Sequence, residues 1–344
     1  RLAAEKYSTQ VIFEFLKTAF KILKFASAST RIALTSRYDV VFATTTPLTA
    51  GIPGIFARWL RRKPFVFEVR DLWPELPREM GVITNPIVLA AMSALEWLSY
   101  RSAHRCIALS PGIKAGIMRR GVSEDRIAMV PNGCDLDLFE AGKTDSWRPD
   151  GVAKNDLLAV FTGTHGQANG LDAVLDAASE LKSRGQNGVK IVLVGSGRLK
   201  PKLLARKASE GLDNVVFHDQ VTKHKIAGLL AGADLGMQCL ANVPAFYYGT
   251  SPNKFFDYIA AGLPVLNNYP GWLTELIETR HCGYVVPPDD PKKFADALEA
   301  AAADRKSLED KGQAALKLAR DEFDRKKLGA SWVDWVVSVC GKQT

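Results

Sequence analysis

A lysine and an aspartate stand three residues apart in the segment SPNKFFDYIAAGLPV, residues 251–265, which predicts a loop, a short helix and a buried strand. The N–H groups at the start of such a helix attract phosphate, and Lys254 adds positive charge beside them. Asp257 offers two acceptor oxygens, which suit the diol of a sugar. The segment therefore suits a nucleotide whose phosphates and ribose are held together, although one ordinary helix–strand step of an α/β sheet would have the same pattern.

Two glycine-rich segments follow predicted strands in the same half of the chain. In residues 161–171, FTGTHGQANGL, the glycines permit close approach to a ligand, and we expect His165 to face a crevice at the carboxyl end of its strand. A plain turn with a solvated histidine is the alternative. Residues 191–198, IVLVGSGR, resemble a dinucleotide-binding turn, with Asp219 where a ribose-binding acid would lie. Because the third glycine is absent, the segment favours a loop near a nucleotide without hydride chemistry.

Three charged residues come directly after an apolar strand in the first half of the chain. They are Arg70, Asp71 and Glu75, in the segment VFEVRDLWPE. We expect all three to project into the same crevice, where burying charges without partners would be costly. A structural salt-bridge cluster and a pair of catalytic or acceptor-binding carboxylates both fit this pattern, and the sequence leaves the two open.

The elements that must position these residues alternate between short apolar runs and segments of helical period, which is typical of parallel sheets with helices on both faces. The predicted strands are residues 39–43, 65–69, 104–109, 126–130, 157–162, 190–194, 215–218, 235–239 and 263–267. The predicted helices are residues 9–30, 49–61, 86–102, 111–120, 170–184, 199–210, 222–231, 252–261, 291–303, 305–322 and 325–340. Residues 140–156 are polar and predict a linker. The fold class is therefore α/β, with two doubly wound Rossmann-like domains and ligand expected in the cleft at the carboxyl ends of their strands.

The 344-residue chain carries a formal net charge of +8, and this charge is uneven. Residues 1–150 contain 21 Lys and Arg against 15 Asp and Glu, an excess that favours an anionic partner. We expect a membrane surface and no nucleic acid, because the aromatic residues are not interleaved with the basic ones. Residues 9–30 have a wide apolar face that suits either a core or a bilayer interface, and residues 58–63, RWLRRK, form a basic and aromatic cluster or a solvated helix end. Five scattered cysteines without a CxxC pair favour a reducing cytoplasm and argue against structural zinc.

The order of these segments resembles the GT-B glycosyltransferases of family 4, in the bacterial branch that builds O-antigen and capsule and includes N-acetylfucosamine-type transferases. The segments that carry the resemblance are RDLWPE (70–75), SPGIK (110–114), PNGCDLDLF (131–139), GTHGQANGLD (163–172), GSGR (195–198) and SPNKFFDYIAAGLPV (251–265). The resemblance implies an acceptor-side Rossmann-like domain at residues 1–145, a nucleotide-sugar-binding domain at 146–324 and a C-terminal helix at 325–344 that crosses back to the first domain. The strands with which such a fold opens have no counterpart here, so the first domain looks truncated.

The resemblance also implies roles for individual residues. The catalytic candidates are Asp71, Glu75 and His165. The donor-binding candidates are Gly163, Thr164, Gly166, Asn169, Gly195, Gly197, Arg198, Ser251, Asn253, Lys254 and Asp257. Asp257 matches the second acid of the family's E-x7-E motif, which holds the ribose hydroxyls, and the first acid has no acidic counterpart. The family's phosphate-binding arginine and lysine fall on Thr164 and Asn169, so we expect helix-end amides, Lys254, and His165 or Arg198 to hold the diphosphate.

The resemblance implies a retaining glycosyltransferase that moves a sugar, expected to be N-acetylated, from a UDP-sugar to a lipid-linked acceptor. It would act at the cytoplasmic face of the plasma membrane as a peripheral protein, with neither a metal nor another cofactor. Two alternatives remain open at this point. One is a nucleotide-sugar-binding or membrane scaffold protein with impaired catalysis, and the other is a GT-B nucleotide-sugar epimerase.

Overall fold

The structure, a computed structural model, describes the backbone of residues 2–341 and the side chains of Lys17 and residues 20–341. The chain forms two compact units. The first unit is Arg1–Val130 with Ala330–Thr344, and the second unit is Pro131–Gly329. The boundaries differ from the predicted 1–145, 146–324 and 325–344, because the segment after Val130 already folds with the second unit.

The first unit contains a four-stranded parallel sheet. Its strands, in the spatial order β1-β2-β3-β4, are β1 (Val41–Thr44), β2 (Phe65–Val69), β3 (Arg105–Ala108) and β4 (Ile127–Met129). Its helices are α1 (Leu2–Thr35), α2 (Gly51–Arg61), α3 (Glu75–Glu79), α4 (Pro86–Ser102) and α5 (Pro111–Arg119). Strand β2 is apolar and buried at every position except Glu68, which suits a parallel strand covered by helices on both sides. Side-chain caps at Asn85 and Ser110 begin α4 and α5.

The helix predicted at residues 9–30 is longer in the structure, where α1 covers Leu2–Thr35. The first half of its apolar face, residues 11–16, lies outside the described side chains. In the described part, the large side chains of Phe20, Leu23 and Phe25 are exposed, whereas the small side chains of Ala26 and Ala33 are buried. None of the helices in the described part of the chain combines the length and the hydropathy that crossing a bilayer requires.

The second unit contains a six-stranded parallel sheet. Its strands are β5 (Leu157–Thr162), β6 (Val189–Val194), β7 (Val215–His218), β8 (Leu235–Gln238), β9 (Val265–Asn267) and β10 (Gly283–Val285), in the spatial order β10-β9-β8-β5-β6-β7. Its helices are α6 (Leu136–Gly142), α7 (Asp172–Ser183), α8 (Lys200–Glu210), α9 (Lys223–Gly232), α10 (Pro244–Gly249), α11 (Asn253–Ala260), α12 (Trp272–Arg280), α13 (Pro291–Ala303) and α14 (Arg305–Glu322). The order places β5 between β8 and β6 at the centre of the sheet. The two parallel sheets with their surrounding helices confirm the predicted α/β class.

Residues 140–156, predicted as a linker, pack closely on the second unit. A methyl group on Gly142, at the end of α6, would lie 2.6 Å from the Cβ of Ala227 on α9. Arg148 donates to Asp234 Oδ2 at 2.6 Å and to the carbonyl oxygen of Gly232 at 2.8 Å. The polar composition of this segment therefore reflects specific hydrogen bonds and an ion pair, and the linker prediction is wrong.

The last helix, α15 (Arg325–Val337), passes the boundary between the two units. Within the first unit, Val336 and Val339 belong to the hydrophobic core. The indole N–H of Trp335 donates to the carbonyl oxygen of Cys106 in β3 at 3.1 Å. Residues 335–339 are thus held against the first sheet by both apolar packing and a hydrogen bond.

Candidate functional site

A cavity of about 220 Å³ lies in the second unit at the carboxyl ends of β5 and β6, and is called the carboxyl-edge cavity below. It is lined by Thr162, Gly163, Thr164, Val194, Gly195, Ser196, Gln220, Val221, Lys223, Ile226 and Asp257. Four of the predicted donor-binding residues are therefore brought together here: Gly163, Thr164, Gly195 and Asp257. The carboxyl edge of a parallel sheet is where α/β proteins bind ligands, so the position agrees with the expected chemistry.

The wall of the carboxyl-edge cavity contains an ion pair between helices α9 and α11. Lys223 Nζ contacts Asp257 Oδ2, and the Asp257 side chain is only 10% exposed. Burial raises the pKa of Asp257, while the hydrogen bond and charge of Lys223 act in the opposite direction. A carboxylate has two oxygens and can accept several hydrogen bonds, so the contact with Lys223 leaves acceptor capacity for a ligand. Lys223 was not predicted from the sequence.

Lys254 lies beside this cavity, on the first turn of α11. Its Nζ donates to Asn169 Oδ1 at 2.6 Å and lies 4.6 Å from the centre of the Phe161 ring. Its Cε would be 3.4 Å from a methyl group placed on Gly163. Burial lowers the pKa of Lys254 to about 8. The Asn169 side chain also donates to the carbonyl oxygen of Thr164 at 2.7 Å, so a cation from α11 is anchored to the glycine-rich loop after β5.

That loop crosses the loop after β6, and the crossing explains two predicted glycines. A methyl group on Gly195 (φ +150°) would lie 1.9 Å from the carbonyl oxygen of Gly163. One on Gly197 (φ +159°) would lie 2.4 Å from the carbonyl oxygen of His165. Gly195 also lines the cavity, whereas Gly197 does not. Glycine is required at these two positions mainly because the two backbones pass so close to each other, and not only because a ligand must approach.

The expectation that His165 faces a crevice is wrong, because the structure buries its side chain completely. The ring lies 6.3 Å from the ring of Phe161 and 5.8 Å from that of Phe217, measured between centroids. Neither ring nitrogen has a hydrogen-bond partner within the described residues. Burial and, to a smaller extent, the charge of Lys200 lower the pKa of His165 to about 4. The imidazole is therefore neutral at pH 7, and its catalytic role stays a prediction without exposed geometry to support it.

The remaining predicted donor-binding residues lie outside the lining of the cavity. Ser251 Oγ accepts a hydrogen bond from the backbone N–H of Asn132 at 3.1 Å, which joins two segments of the second unit. Arg198 and Asn253 are exposed, and Gly166 is partly exposed. Ser251, Arg198, Asn253 and Gly166 therefore remain predictions.

The position of Asp219 differs from that of a ribose-binding acid. Its side chain is 94% exposed and accepts from Lys200 Nζ at 2.6 Å. Lys200 Nζ also donates to the carbonyl oxygens of Gly195, at 2.9 Å, and His218, at 3.1 Å. Lys200 thus holds together the loops after β6 and β7, and Asp219 pairs with that lysine instead of lining the cavity.

The charged residues after β2 in the first unit do not form one salt-bridge cluster. Thr46 Oγ1 donates to Asp71 Oδ2 at 3.0 Å, and burial raises the pKa of Asp71 against the opposing effects of Thr46 and Arg70. Glu75 begins α3 and lies 3.9 Å from Arg119, between charged atoms. Asp71 is therefore a partly exposed carboxyl group that accepts a hydrogen bond from a hydroxyl.

Among the residues that the structure describes, no three His, Cys, Asp or Glu side chains come together in a way that could hold a metal ion. The carboxylates identified above are instead held by lysine, arginine or hydroxyl partners.

Two family models match the chain. Residues 156–304 match the model described as glycosyl transferases group 1, and residues 11–133 match the model of a glycosyl transferase 4-like domain. Among curated proteins, a D-inositol 3-phosphate glycosyltransferase of Nocardia farcinica is 29% identical over 196 residues, covering 55% of this chain and 42% of that protein. A putative colanic acid biosynthesis glycosyltransferase of Escherichia coli is 22% identical over 237 residues, covering 65% of this chain and 57% of that protein. The chain thus spans only about half the length of these relatives.

Solved structures with a similar fold include the Anabaena protein HepE in complex with UDP, with a TM-score of 0.70 and 19% identity over 92% of this chain and 82% of that one. The glycosyltransferase WaaG, involved in lipopolysaccharide biosynthesis, has a TM-score of 0.64 and 16% identity over 91% of this chain and 95% of that one. At these identities the similarity establishes the fold, and it confirms the prediction of a GT-B architecture.

Proposed function

We propose that this chain, which contains a glycosyl transferases group 1 domain and a glycosyl transferase 4-like domain, belongs to an enzyme that transfers the sugar of a UDP-sugar to an acceptor and releases UDP. The observation that carries the proposal is the carboxyl-edge cavity with Asp257 in its wall and Lys254 beside it. The HepE protein of similar fold has been solved with UDP and with UDP-glucose, which supports uridine diphosphate as the nucleotide.

In this proposal Asp257 accepts hydrogen bonds from the ribose hydroxyls. The carboxylate lies on the cavity wall, and one of its oxygens is already held by Lys223. Because a buried carboxylate is costly without hydrogen-bond donors, a diol in the cavity would satisfy the acceptor positions that Lys223 leaves open. The backbone of Gly163 and Gly195 allows the ligand to come close to the strand ends.

The diphosphate would bind between the glycine-rich loop after β5 and the start of α11. The first N–H groups of α11 have no acceptor within the helix, and they point out from its amino end. Lys254 adds a positive charge, and a diphosphate beside it would raise its pKa from about 8. As the sugar–phosphate bond breaks, negative charge grows on the leaving UDP, and these groups stabilise it without a metal ion.

The acceptor side of the proposal rests on the first unit. Asp71 is a partly exposed carboxyl group with a raised pKa, which suits a group that orients an acceptor hydroxyl or takes its proton. The colanic acid relative supports a role in surface polysaccharide synthesis. We extend the proposal to a lipid-linked acceptor, an N-acetylated sugar with retained configuration, and the O-antigen and capsule branch of the family. The uneven positive charge of the first 150 residues supports an anionic membrane partner.

The test is titration calorimetry with UDP on the parent protein and two matched variants. Asp257→Asn removes the charge from the cavity wall, and Asp213→Asn removes one from an exposed position in the same unit. We expect Asp257→Asn to weaken UDP binding by about tenfold or more, since a hydrogen bond to a charged group contributes about 1.5–3 kcal/mol. Asp213→Asn should bind like the parent.

Asp71→Asn should bind UDP as tightly as the parent when measured by calorimetry. In an assay of donor consumption, the same variant should lose most of its turnover of a UDP-sugar. Equal UDP affinity in the parent and Asp257→Asn would contradict the assignment of the cavity. Binding of UDP without any consumption of donor by the parent would favour the scaffold alternative, and conversion of the donor sugar into its epimer would favour the epimerase.

A further inference from the structure

A second cavity, of about 760 Å³, lies in the first unit at the amino ends of β2, β3 and β4. Six positively charged side chains line it, and it is called the basic cavity below. They are Arg58, Arg61, Arg62, Lys63, Arg105 and Arg126. A single carboxylate, that of Asp125, lines it as well. The basic cavity is at the opposite edge of the sheet from Asp71, which follows the carboxyl end of β2.

Three of the six cations are held by neutral partners. Arg61 donates to the carbonyl oxygens of Ala33, at 3.1 Å, and Ser36, at 2.5 Å. Arg105 donates to the carbonyl oxygen of Asp125 and lies 4.4 Å from the ring centre of Trp335. Arg126 donates to the carbonyl oxygens of Ala103 and His104. Carbonyl groups and aromatic rings orient these guanidinium groups but leave their positive charge uncompensated.

The described residues contain no ion pair between any of the six cations and a carboxylate. The guanidinium carbon of Arg58 lies 5.5 Å from the ring centre of Trp59, and Arg62 is exposed. Placing six like charges around one space raises the free energy of the unliganded protein, because the positively charged side chains repel one another. Anions that enter the basic cavity would relieve this repulsion.

His104 also lines the basic cavity, close enough to Arg58 and Arg126 to be affected by their charges. The backbone N–H of Phe65 donates to His104 Nδ1 at 3.1 Å, so Nδ1 acts as the acceptor. Burial lowers the pKa of His104, and the charges of Arg58 and Arg126 lower it further. The same two charges that disfavour a protonated imidazole would favour a bound anion.

We propose that the basic cavity is a binding site for a phosphate-bearing anion with at least two negative charges. Guanidinium groups suit phosphate because their planar fork pairs with two oxygens at once. The ligand would be either a soluble diphosphate or the phosphorylated head group of a lipid, and the chemistry of recognition is the same for both. Trp59 (58% exposed) and Leu60 (65% exposed) follow Arg58 on α2 and would contact the acyl region beside a head group. This site does not depend on the proposed sugar transfer.

The test compares the parent with Arg58→Gln/Arg62→Gln, which removes two cations that hold no backbone carbonyl in the described structure. The control is Lys154→Gln/Lys292→Gln, which removes two exposed charges from the second unit and changes the net charge equally. Calorimetry uses inorganic pyrophosphate, and sedimentation uses phosphatidylcholine vesicles with and without phosphatidic acid. We expect the Arg58→Gln/Arg62→Gln variant to bind one or both probes at least about tenfold more weakly, and the control to bind like the parent.

Loss of pyrophosphate binding in the Arg58→Gln/Arg62→Gln variant would assign the soluble source, and loss confined to vesicles with phosphatidic acid would assign the lipid source. The proposal is overturned if the parent binds neither probe, or if the Arg58→Gln/Arg62→Gln variant and the control bind equally well. Unchanged UDP affinity in the Arg58→Gln/Arg62→Gln variant shows that the protein is folded. The measurement of UDP affinity also distinguishes failure of the anion-site proposal from failure of the proposed UDP site.

Discussion

The carboxyl-edge cavity of the second unit and the basic cavity of the first unit hold their charges in opposite ways. In the carboxyl-edge cavity, Asp257 pairs with Lys223, and nearby Lys200 pairs with Asp219. In the basic cavity, six cations surround one carboxylate and form no ion pair within the described residues. The first arrangement can select a ligand by directed hydrogen bonds, whereas the second attracts a ligand by net charge. One chain therefore contains two cavities with different physical grounds for binding.

The second unit also contains ion pairs that lie away from its cavity. Arginines of the second unit are paired with carboxylates: Arg148 with Asp234 at 2.6 Å, Arg184 with Glu180 at 2.9 Å and Arg206 with Glu210 at 2.6 Å. Such pairs hold loops and helices in place, but each contributes little to stability near the surface. Changes to packing should therefore affect the carboxyl-edge cavity most, and changes to ionic strength should affect the basic cavity most.

The largest effect is expected where the frame of the carboxyl-edge cavity is tightest, at Gly195. The variant Gly195→Ala places a methyl group 1.9 Å from the carbonyl oxygen of Gly163, at a φ of +150°. Neither loop can move far, because each continues directly from a buried strand. We expect a loss of stability on the order of 3 to 5 kcal/mol, with loss of UDP binding, measured by urea unfolding and calorimetry.

The matched control for this prediction is Gly188→Ala, just before β6, where an added methyl group meets no atom within 4 Å and φ is not positive. It should change stability by less than about 1 kcal/mol. A Gly195→Ala variant as stable as the control would mean that the two loops are not packed as described. Close packing would then no longer distinguish the carboxyl-edge cavity from the basic cavity.

The next effect concerns acid sensitivity of the second unit through His165. Its pKa of about 4 lies below the ordinary value of 6.5, so between these pH values the unfolded chain binds more protons than the folded one. Stability should therefore fall as the pH is lowered from 6.5 to 4, by roughly 2 to 3 kcal/mol from this group alone. Urea unfolding at several pH values, compared between the parent and His165→Leu, measures the difference.

Replacement by leucine removes the protonation and also the two buried nitrogens that lack partners, so the variant should be at least as stable as the parent at pH 5. An equally steep decrease in His165→Leu would assign the acid sensitivity to other groups. It would also place the imidazole in contact with water, contrary to its burial in the structure.

The sequence predicted most of the regular elements, because apolar runs and caps are local signals. Strands β2, β5 and β7 and helix α4 have the predicted bounds. Strand β10 was missed because a three-residue edge strand has too short a pattern to recognise. Helix α12 was missed although Leu273, Leu276 and Ile277 have helical spacing, so its signal was present in the sequence.

The site was predicted only in part, since its geometry depends on contacts between distant segments. The sequence named Asp257, Gly163 and Gly195 as donor-binding candidates, and in the structure all three line one cavity. Lys223 was missed because its partner lies 34 residues away in the sequence, and only the tertiary fold brings the start of α9 close to Asp257 on α11. His165 was misplaced because a histidine after a strand looks exposed in sequence, while the crossing of two glycine loops buries it.

The smallest effect, and the most direct measure of the difference between the two cavities, is the titration of His104. After burial, the charges of Arg58 and Arg126 are what hold its pKa below the ordinary value. Salt screens charges that solvent reaches, with a Debye length of about 30 Å at 0.01 M and 3 Å at 1 M. The titration midpoint of His104, followed by NMR of its ring protons, should therefore rise when salt is added. Arg58→Gln should raise the midpoint at low salt and reduce its response to salt, whereas Lys154→Gln in the second unit should change neither. A midpoint of His104 that ignores both salt and Arg58 would mean that the cations of the basic cavity are neutralised by partners, and the cavity would then have no net charge with which to attract an anion.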